Sequence, residues 1–364
     1  METKKLMKYE MTETLEFSIT KTQHSKLSQT DLANPAFGKD YSDHMFIADY
    51  EGGEWKDMRI VPYGNLSMSP ANATLHYAQS IFEGLKAYRN DNDEVVIFRG
   101  DANAKRMAAS AVRMCMPPVP EELFMEAVSQ LVNLDRDWVP AAEGNSLYIR
   151  PFQFATDPFI GVKASEKYSF MVITGPVGSY YSKPLRVKVE TKFTRAAKGG
   201  VGAAKTAGNY AASLYPAKLG QEQGYDQLIW TDGISHEYIE ECGTMNLNFV
   251  VDGKILSPQK NDSILPGITR DSALTLARDM GILVEERPIK VTEIIEAIEN
   301  GTMQEAYGIG TAATISQISV IGHEGIDYEL PPVETREVSS KLLKALNDIK
   351  AGRVEDTHGW ITKV

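Results

Sequence analysis

The sequence predicts a mixed α/β (α+β) fold in two domains, and three observations carry that expectation. At 364 residues the chain has the length of about two ordinary domains. Strand-type alternation and helix-type spacing intermingle without strict strand–helix–strand order. A stretch rich in glycine, proline and serine, GPVGSYYSKP at 175–184, separates two regular regions. The expected division is a smaller domain over 1–176, a linker over 177–184 and a larger domain over 185–364.

The first thirty residues are polar and are expected to be partly mobile. A strand is expected over Met45–Asp49 and another at EVVIF, 94–98. Asp101 opens a helix with Ala104, Met107, Ala108, Ala111 and Cys115 on one face, closed by Pro117 and Pro118. A second helix follows Pro120 and carries Leu123, Phe124, Val128 and Leu131. The stretches 145–152 and 167–174 alternate as strands. Beyond the linker, Leu185, Val187, Val189, Thr191 and Phe193 alternate, a helix ends near Gly224, and DQLIW at 226–230 reads as a buried strand. NFVV-DG-KILS is a hairpin turning on Asp252-Gly253. Helices are expected over 269–280, 292–299 and 335–350, the last with Val338, Leu342, Leu346 and Ile349 on one stripe and Gly352 beyond it.

Composition is that of a globular protein, 43% hydrophobic and 24% charged. A formal net charge of -11 argues against a nucleic-acid partner, which requires a basic surface. No run of eighteen mostly apolar residues reads as a membrane span. The N-terminus shows no signal-peptide core, and its first arginine is Arg59, so the expected location is cytoplasmic. The two cysteines, Cys115 and Cys242, form no CxxC pair and read as reduced thiols. No metal-ligand motif is evident.

GGVGAAKTAGNY, 199–210, holds the chemistry. A phosphate-cradling nucleotide loop would need glycine where Ala204 stands, at a position where a Cβ crowds the phosphate. Lys205 is the only charge from Gly199 to Pro216. A lysine among small uncharged residues loses its proton more readily and can form a Schiff base with a carbonyl compound or with pyridoxal phosphate. That cofactor would need a carboxylate for its ring nitrogen and a helix N-terminus for its phosphate. EECGTMN supplies two candidate acids, and ILPGITRDS opens a helix whose N-cap would be Thr269. Tyr148 and Arg150 share one strand face, where a cation beside an aromatic could receive a second carboxylate. Helical spacing alone would leave Arg106 facing solvent and would put the aromatic residues in the core.

Seven segments in order, LHYAQSIFEGLKAY (75–88), LYIRPF (147–152), PVGSYY (176–181), GGVGAAKTAGNYAAS (199–213), EECGTMN (240–246), ILPGITRDS (264–272) and GIGTAA (308–313), resemble the branched-chain amino-acid aminotransferases. The likeness is to the longer, eukaryotic-type branch and runs from about 36 to 360. The resemblance implies the D-alanine aminotransferase-like fold, PLP fold type IV, and transamination between leucine, isoleucine or valine and 2-oxoglutarate. It implies Lys205 as the Schiff-base lysine, Tyr210 as donor to the phenolic oxygen and Glu241 as the ring-nitrogen partner. Arg106, Gly267, Ile268, Thr269 and Thr311 would hold the phosphate, with Arg195 nearby. Phe37, Tyr77, Phe82, Tyr148, Tyr180 and Thr244 would form the substrate pocket, with Ala312 at the α-carboxylate and Val162 reaching in from the second subunit of a homodimer. Ala313 and Ser316 replace the redox cysteine pair of some relatives. Asn248 stands where an aromatic is usual, and Ser257 where a threonine is usual.

Overall fold

The computed structural model describes residues 15–178 and 183–364. It contains two nine-stranded sheets among those residues. In the first, the order is Ser18–Ile19, Glu54–Pro62, His44–Glu51, Tyr168–Val177, Ser146–Ala155, Leu85–Arg89, Val95–Phe98 and Ile361–Lys363, with Ser80–Phe82 pairing Ser146–Ala155 from the side. Most pairs are antiparallel, joined in register such as Arg150 against Ile173. In the second, the order is Ile239–Cys242, Gln227–Thr231, Leu185–Val189, Thr314–His323, Met303–Gly310, Asn246–Val251, Lys254–Pro258 and Val284–Arg287, with Ile326–Glu329 pairing Thr314–His323 from the side. Parallel and antiparallel pairs mix here, as the absence of strict alternation predicts.

Helices Gly100–Arg113 and Glu121–Leu134 cover the first sheet. Their apolar stripes, Ala104, Met107, Ala111 and Leu123, Phe124, Val128, Leu131, are buried in one cluster with Phe46, Ile149 and Phe170. The second sheet is covered by Ile268–Asp279 and Val338–Lys350 on one side and Val291–Glu299 on the other, the last long helix burying Leu342, Leu346 and Ile349 of its predicted stripe and half-burying Val338. Asp252 and Gly253 both take positive φ, as the two-residue hairpin turn requires.

Several boundaries differ from expectation. The strand Tyr168–Val177 runs through Gly175 and Pro176, because Tyr148 and Leu147 still supply partners there. Val177 therefore belongs to the strand rather than to the expected linker, and residues 179–182 lie outside the described residues. Strand Leu185–Val189 stops before Thr191 and Phe193, where the Glu190 carboxylate accepts from the Lys192 and Phe193 N–H groups and turns the chain. The last long helix starts at Val338 rather than 335, its first N–H groups donating to Glu305. Of the first thirty residues, 1–14 lie outside the described residues, while Ser18–Ile19 is held against Arg59 and Ile60. Strand Ile361–Lys363 returns to the first sheet beside Val95–Phe98.

Candidate active site

Lys205 lies where the two sheets meet. Its carbonyl accepts from the Phe82 N–H at 3.0 Å, and its own N–H donates to Ser110 Oγ at 3.0 Å. The neighbouring Thr206 hydroxyl donates to the Ser80 carbonyl at 2.8 Å. The second half's lysine is thus sewn to a strand and a helix of the first half. Helix Ala207–Glu222 begins just beyond it and sets Tyr210 about one turn on. The Lys205 Nζ lies 2.9 Å from Tyr210 Oη and 4.8 Å from the centre of the Phe82 ring.

The lysine opens into a cavity of about 430 Å³, within the size range of small-molecule sites. Its wall contains Phe37, Phe82, Arg106, Tyr148, Arg150, Lys205, Tyr210, Glu241, Thr244, Gly267, Ile268, Thr269, Thr311 and Ala312. Arg195 is behind the wall, its Nε 3.2 Å from Glu241 Oε2. Tyr77 is not on this wall: the short helix Ala73–Tyr77 ends there, and the residue is 40% exposed. Val162 is also outside, 91% exposed. Tyr180 lies outside the described residues.

Arg106 does not face solvent as helical spacing alone suggests. It is 9% exposed, because Glu83, fully buried below it, takes its Nε at 2.8 Å and Nη2 at 2.7 Å. The remaining Nη1 donates to the Pro266 carbonyl at 3.0 Å, just before the Gly267–Thr269 turn. Burial opposes the guanidinium charge, and Glu83 outweighs it, holding the pKa above the ordinary arginine value. Sequence reasoning missed Glu83. Its one visible signal is an acid inside the otherwise apolar SIFEGL run.

The helix carrying the anion site starts earlier than expected. Gly267, not Thr269, is the N-cap, and its carbonyl accepts the first helical bond from Asp271. Glycine is needed there because a Cβ would collide with Asn246 Oδ1. Thr269 is the second helical residue, so the early N–H groups of the helix lie beside the cavity. Arg270 anchors this helix, donating to Ser257 Oγ at 2.8 Å and to the Pro258 carbonyl at 2.6 Å. That contact gives the Ser257 hydroxyl its place.

Glu241 is buried on strand Ile239–Cys242. Its Oε1 accepts from the Leu265 N–H at 2.6 Å. Arg195 Nε stands close to Oε2 but off the hydrogen-bond direction. Burial raises the Glu241 pKa above the ordinary glutamate value, with Arg195 and the Leu265 N–H pulling it back. Glu240 turns away and receives the Ser263 hydroxyl. On the opposite wall, Arg150 Nη2 donates to Tyr148 Oη at 3.0 Å, and its guanidinium stacks 4.6 Å over Phe82. Phe37 meets Tyr148 edge-on at 5.0 Å. Thr311 and Ala312 lie in the turn between Met303–Gly310 and Thr314–His323. Thr314 closes that turn at φ 58, a strained value for a β-branched residue.

The residues present fit pyridoxal phosphate. A primary amine, a buried acid and a helix N-terminus with a nearby arginine share one cavity. Gly84 and Gly267 line it without side chains, and a Cβ on either would meet Tyr148 or Asn246. Arg150 Nε and Arg195 Nε are buried donors without hydrogen-bond partners. Three cations and helix amides face one carboxylate, which suits an anionic cofactor and an anionic substrate.

Such a site on two packed sheets is that of a cofactor-dependent aminotransferase. The amino-transferase class IV family matches residues 80–321, and the chain belongs to it. Class IV aminotransferases bind pyridoxal phosphate. The chain is 45% identical over 356 residues to branched-chain-amino-acid aminotransferase 2 of Bacillus subtilis, covering 97% of each. It is 25% identical to the branched-chain aminotransferase of Thermoproteus uzoniensis solved with norvaline, with TM-score 0.74 over 88% of this chain and 99% of that one. It also shares its fold with the branched-chain amino acid aminotransferase of Thermobaculum terrenum, solved in its PLP form, at 22% identity and TM-score 0.71 over 89% of this chain and 99% of that one.

Proposed function

We infer that the protein is a pyridoxal-phosphate-dependent branched-chain amino-acid aminotransferase. It moves the amino group of leucine, isoleucine or valine to 2-oxoglutarate, reversibly and by a ping-pong sequence. The observation that carries this reading is the Lys205–Tyr210 pair, 2.9 Å apart, in one cavity with Glu241 and the N-terminus of Ile268–Asp279. Bound in this cavity, the cofactor supplies an electron sink for the bond electrons of the substrate α-carbon.

The chain's own residues do the rest. Lys205 Nζ is the attachment amine and, once released, carries the proton to and from the substrate α-carbon. Tyr210 Oη, in contact with Nζ, holds the amine in line and donates to the phenolic oxygen. Glu241 holds a proton on the ring nitrogen, and Arg195 keeps the acid oriented. The N–H groups of Gly267, Ile268 and Thr269, with Arg106 and Thr311, take the phosphate. The Thr311–Ala312 turn and Thr244 take the substrate carboxylate. Phe37, Phe82 and Tyr148 enclose an aliphatic side chain, and Arg150 receives the second carboxylate of glutamate.

The working assembly is a cytoplasmic homodimer. Leu75, Tyr77, Phe159, Ile160 and Val162 stand exposed on the protomer surface, and Tyr77 and Val162 belong to substrate enclosure in that assembly. The two domains are 1–176 and 185–364, with the strand Ile361–Lys363 handed back across their junction.

Borohydride trapping with peptide mapping tests the central assignment. The expected result is one cofactor adduct, on the peptide containing Lys205. An adduct on another lysine, or none in a protein active on leucine, would overturn it.

A further inference from the structure

A second cavity, of about 350 Å³, lies against the Ala312–Thr314 turn and is also lined by Lys86, Arg89, Lys350 and Arg353. Lys350 closes the helix Val338–Lys350, and its side chain folds inward to 5% exposure. Its Nζ stands 5.0 Å from the Tyr88 ring and 5.2 Å from the Phe98 ring. No hydrogen bond or ion pair reaches it among the described residues. Lys86, also buried, spends its Nζ on the Ala312 carbonyl at 2.9 Å.

The other charges of this cavity are already matched. Arg353 pairs with Asp91 at 2.8 Å and Glu143 at 3.1 Å. Arg89 pairs with Asp93 at 2.7 Å. The acids on the wall, Asp91 and Glu143, are therefore engaged, and the two ammonium groups face the space without a counter-charge. A helix-ending lysine often serves its own terminal carbonyls. Lys350 instead lies over two aromatic rings, which offset part of the desolvation cost but bring no net negative charge. Burial pushes the Lys86 ammonium down to about 8. Burial first, and then the like charge of Lys86, push Lys350 down to about 7. An anion placed between them would restore both charges.

We propose that this cavity is a second ligand site, taking a compact dianion between Lys350 Nζ and Lys86 Nζ. A sulfate-type oxyanion and a short dicarboxylate share that chemistry. The groups that set its charge are Lys86, Tyr88 and Arg89 from one strand, Asp91 from the turn after it, Glu143 from the 141–145 loop, and Lys350 and Arg353 from the final helix and beyond. The ligand is held by the protonated lysines, so affinity is full below their pKa values and falls as pH rises through them. An occupant also competes with the Ala312 carbonyl for Lys86, and so reaches the strained turn shared with the catalytic cavity.

The test is calorimetric titration of sulfate, and separately malonate, into holoenzyme saturated with 4-methylvaleric acid, which keeps the catalytic cavity filled. One site per chain is expected near neutral pH, weakening by about ten-fold or more per pH unit once both lysines deprotonate. Lys350→Met is expected to weaken it by at least about ten-fold while turning over leucine as the wild type does. Lys350→Arg keeps a cation that does not titrate in this range, so binding persists and its pH dependence falls to that of Lys86 alone. Response to sulfate alone or to malonate alone identifies which anion class the site takes. Equal binding in wild type and Lys350→Met, or no site beyond the filled catalytic one, overturns the proposal. Should Lys350→Met not fold, an unchanged pH dependence in Lys350→Arg overturns it equally. As a second readout, sulfate raises the KM for leucine more in wild type than in Lys350→Met. That readout depends on the proposed carboxylate role of Ala312, whereas the isotherm does not, so the two readings fail separately.

Discussion

Two buried arginine–glutamate pairs flank the catalytic cavity, and they are built differently. Arg106 and Glu83 meet fork to fork at 2.8 and 2.7 Å. Asn103 adds a third donor to Glu83 at 2.7 Å. With the Gly84 N–H as a fourth donor at 3.3 Å, that fully buried carboxylate is satisfied and has nothing left to offer a ligand. Arg195 and Glu241 make a single 3.2 Å approach off the hydrogen-bond direction. Glu241 keeps acceptor capacity on the side of the cavity. The same two residue types thus make a scaffold in one place and an available acid in the other.

The comparison sharpens or breaks under four substitutions, in order of expected effect. Lys205→Ala removes the amine that both pairs surround. Steady-state turnover of leucine with 2-oxoglutarate is expected to fall by roughly four orders of magnitude or more. Glu83→Ala leaves Arg106 charged and unpaired in the interior, and should cost about 3–5 kcal/mol in denaturant unfolding. Cofactor affinity should fall with it. Glu241→Gln keeps shape and packing, so its stability should stay within about 1 kcal/mol of wild type. Its turnover should drop on the order of 100-fold, because the ring nitrogen loses its proton partner. If Glu241→Gln destabilised more than Glu83→Ala, the division into scaffold and acid would be wrong. Arg150→Ala is the mildest. Its kcat/KM for glutamate should fall about ten-fold more than that for leucine, the loss of one ion pair to the ligand. Equal losses would leave Arg150 with a packing role over Phe82.

Much of this site is legible in the sequence, for reasons particular to each residue. Lys205 stands out as a lone charge in a small-residue loop. Tyr148 and Arg150 follow from strand periodicity, and both reach the cavity. Gly267 and Ile268 follow from a helix start after Pro266, although the N-cap is Gly267 rather than Thr269. Position within a helix cannot reveal Arg106 as buried, because its partner Glu83 is remote in sequence, in the link between strands Ser80–Phe82 and Leu85–Arg89. The same limit hides Lys350. Its helix shows the expected apolar stripe, and only the packing of strands Leu85–Arg89 and Val95–Phe98 against its end makes the last residue interior. Connection lengths are also hard to read, since strand pairing carries through Gly175 and Pro176 despite their turn propensity.

The strand Ile361–Lys363 pairs with Val95–Phe98, and the Trp360 carbonyl accepts from the Arg99 N–H at 2.7 Å, at the mouth of the helix that carries Arg106. A ribosome delivers these partners far apart in time, with every strand of the second sheet made between them. The first sheet therefore waits for its last strand while the second is made, and Ile361–Lys363 becomes its edge when it docks. Assembly order, rather than local preference, makes the two halves interdependent: neither half, expressed alone, carries the first sheet's last strand together with the strand it pairs with.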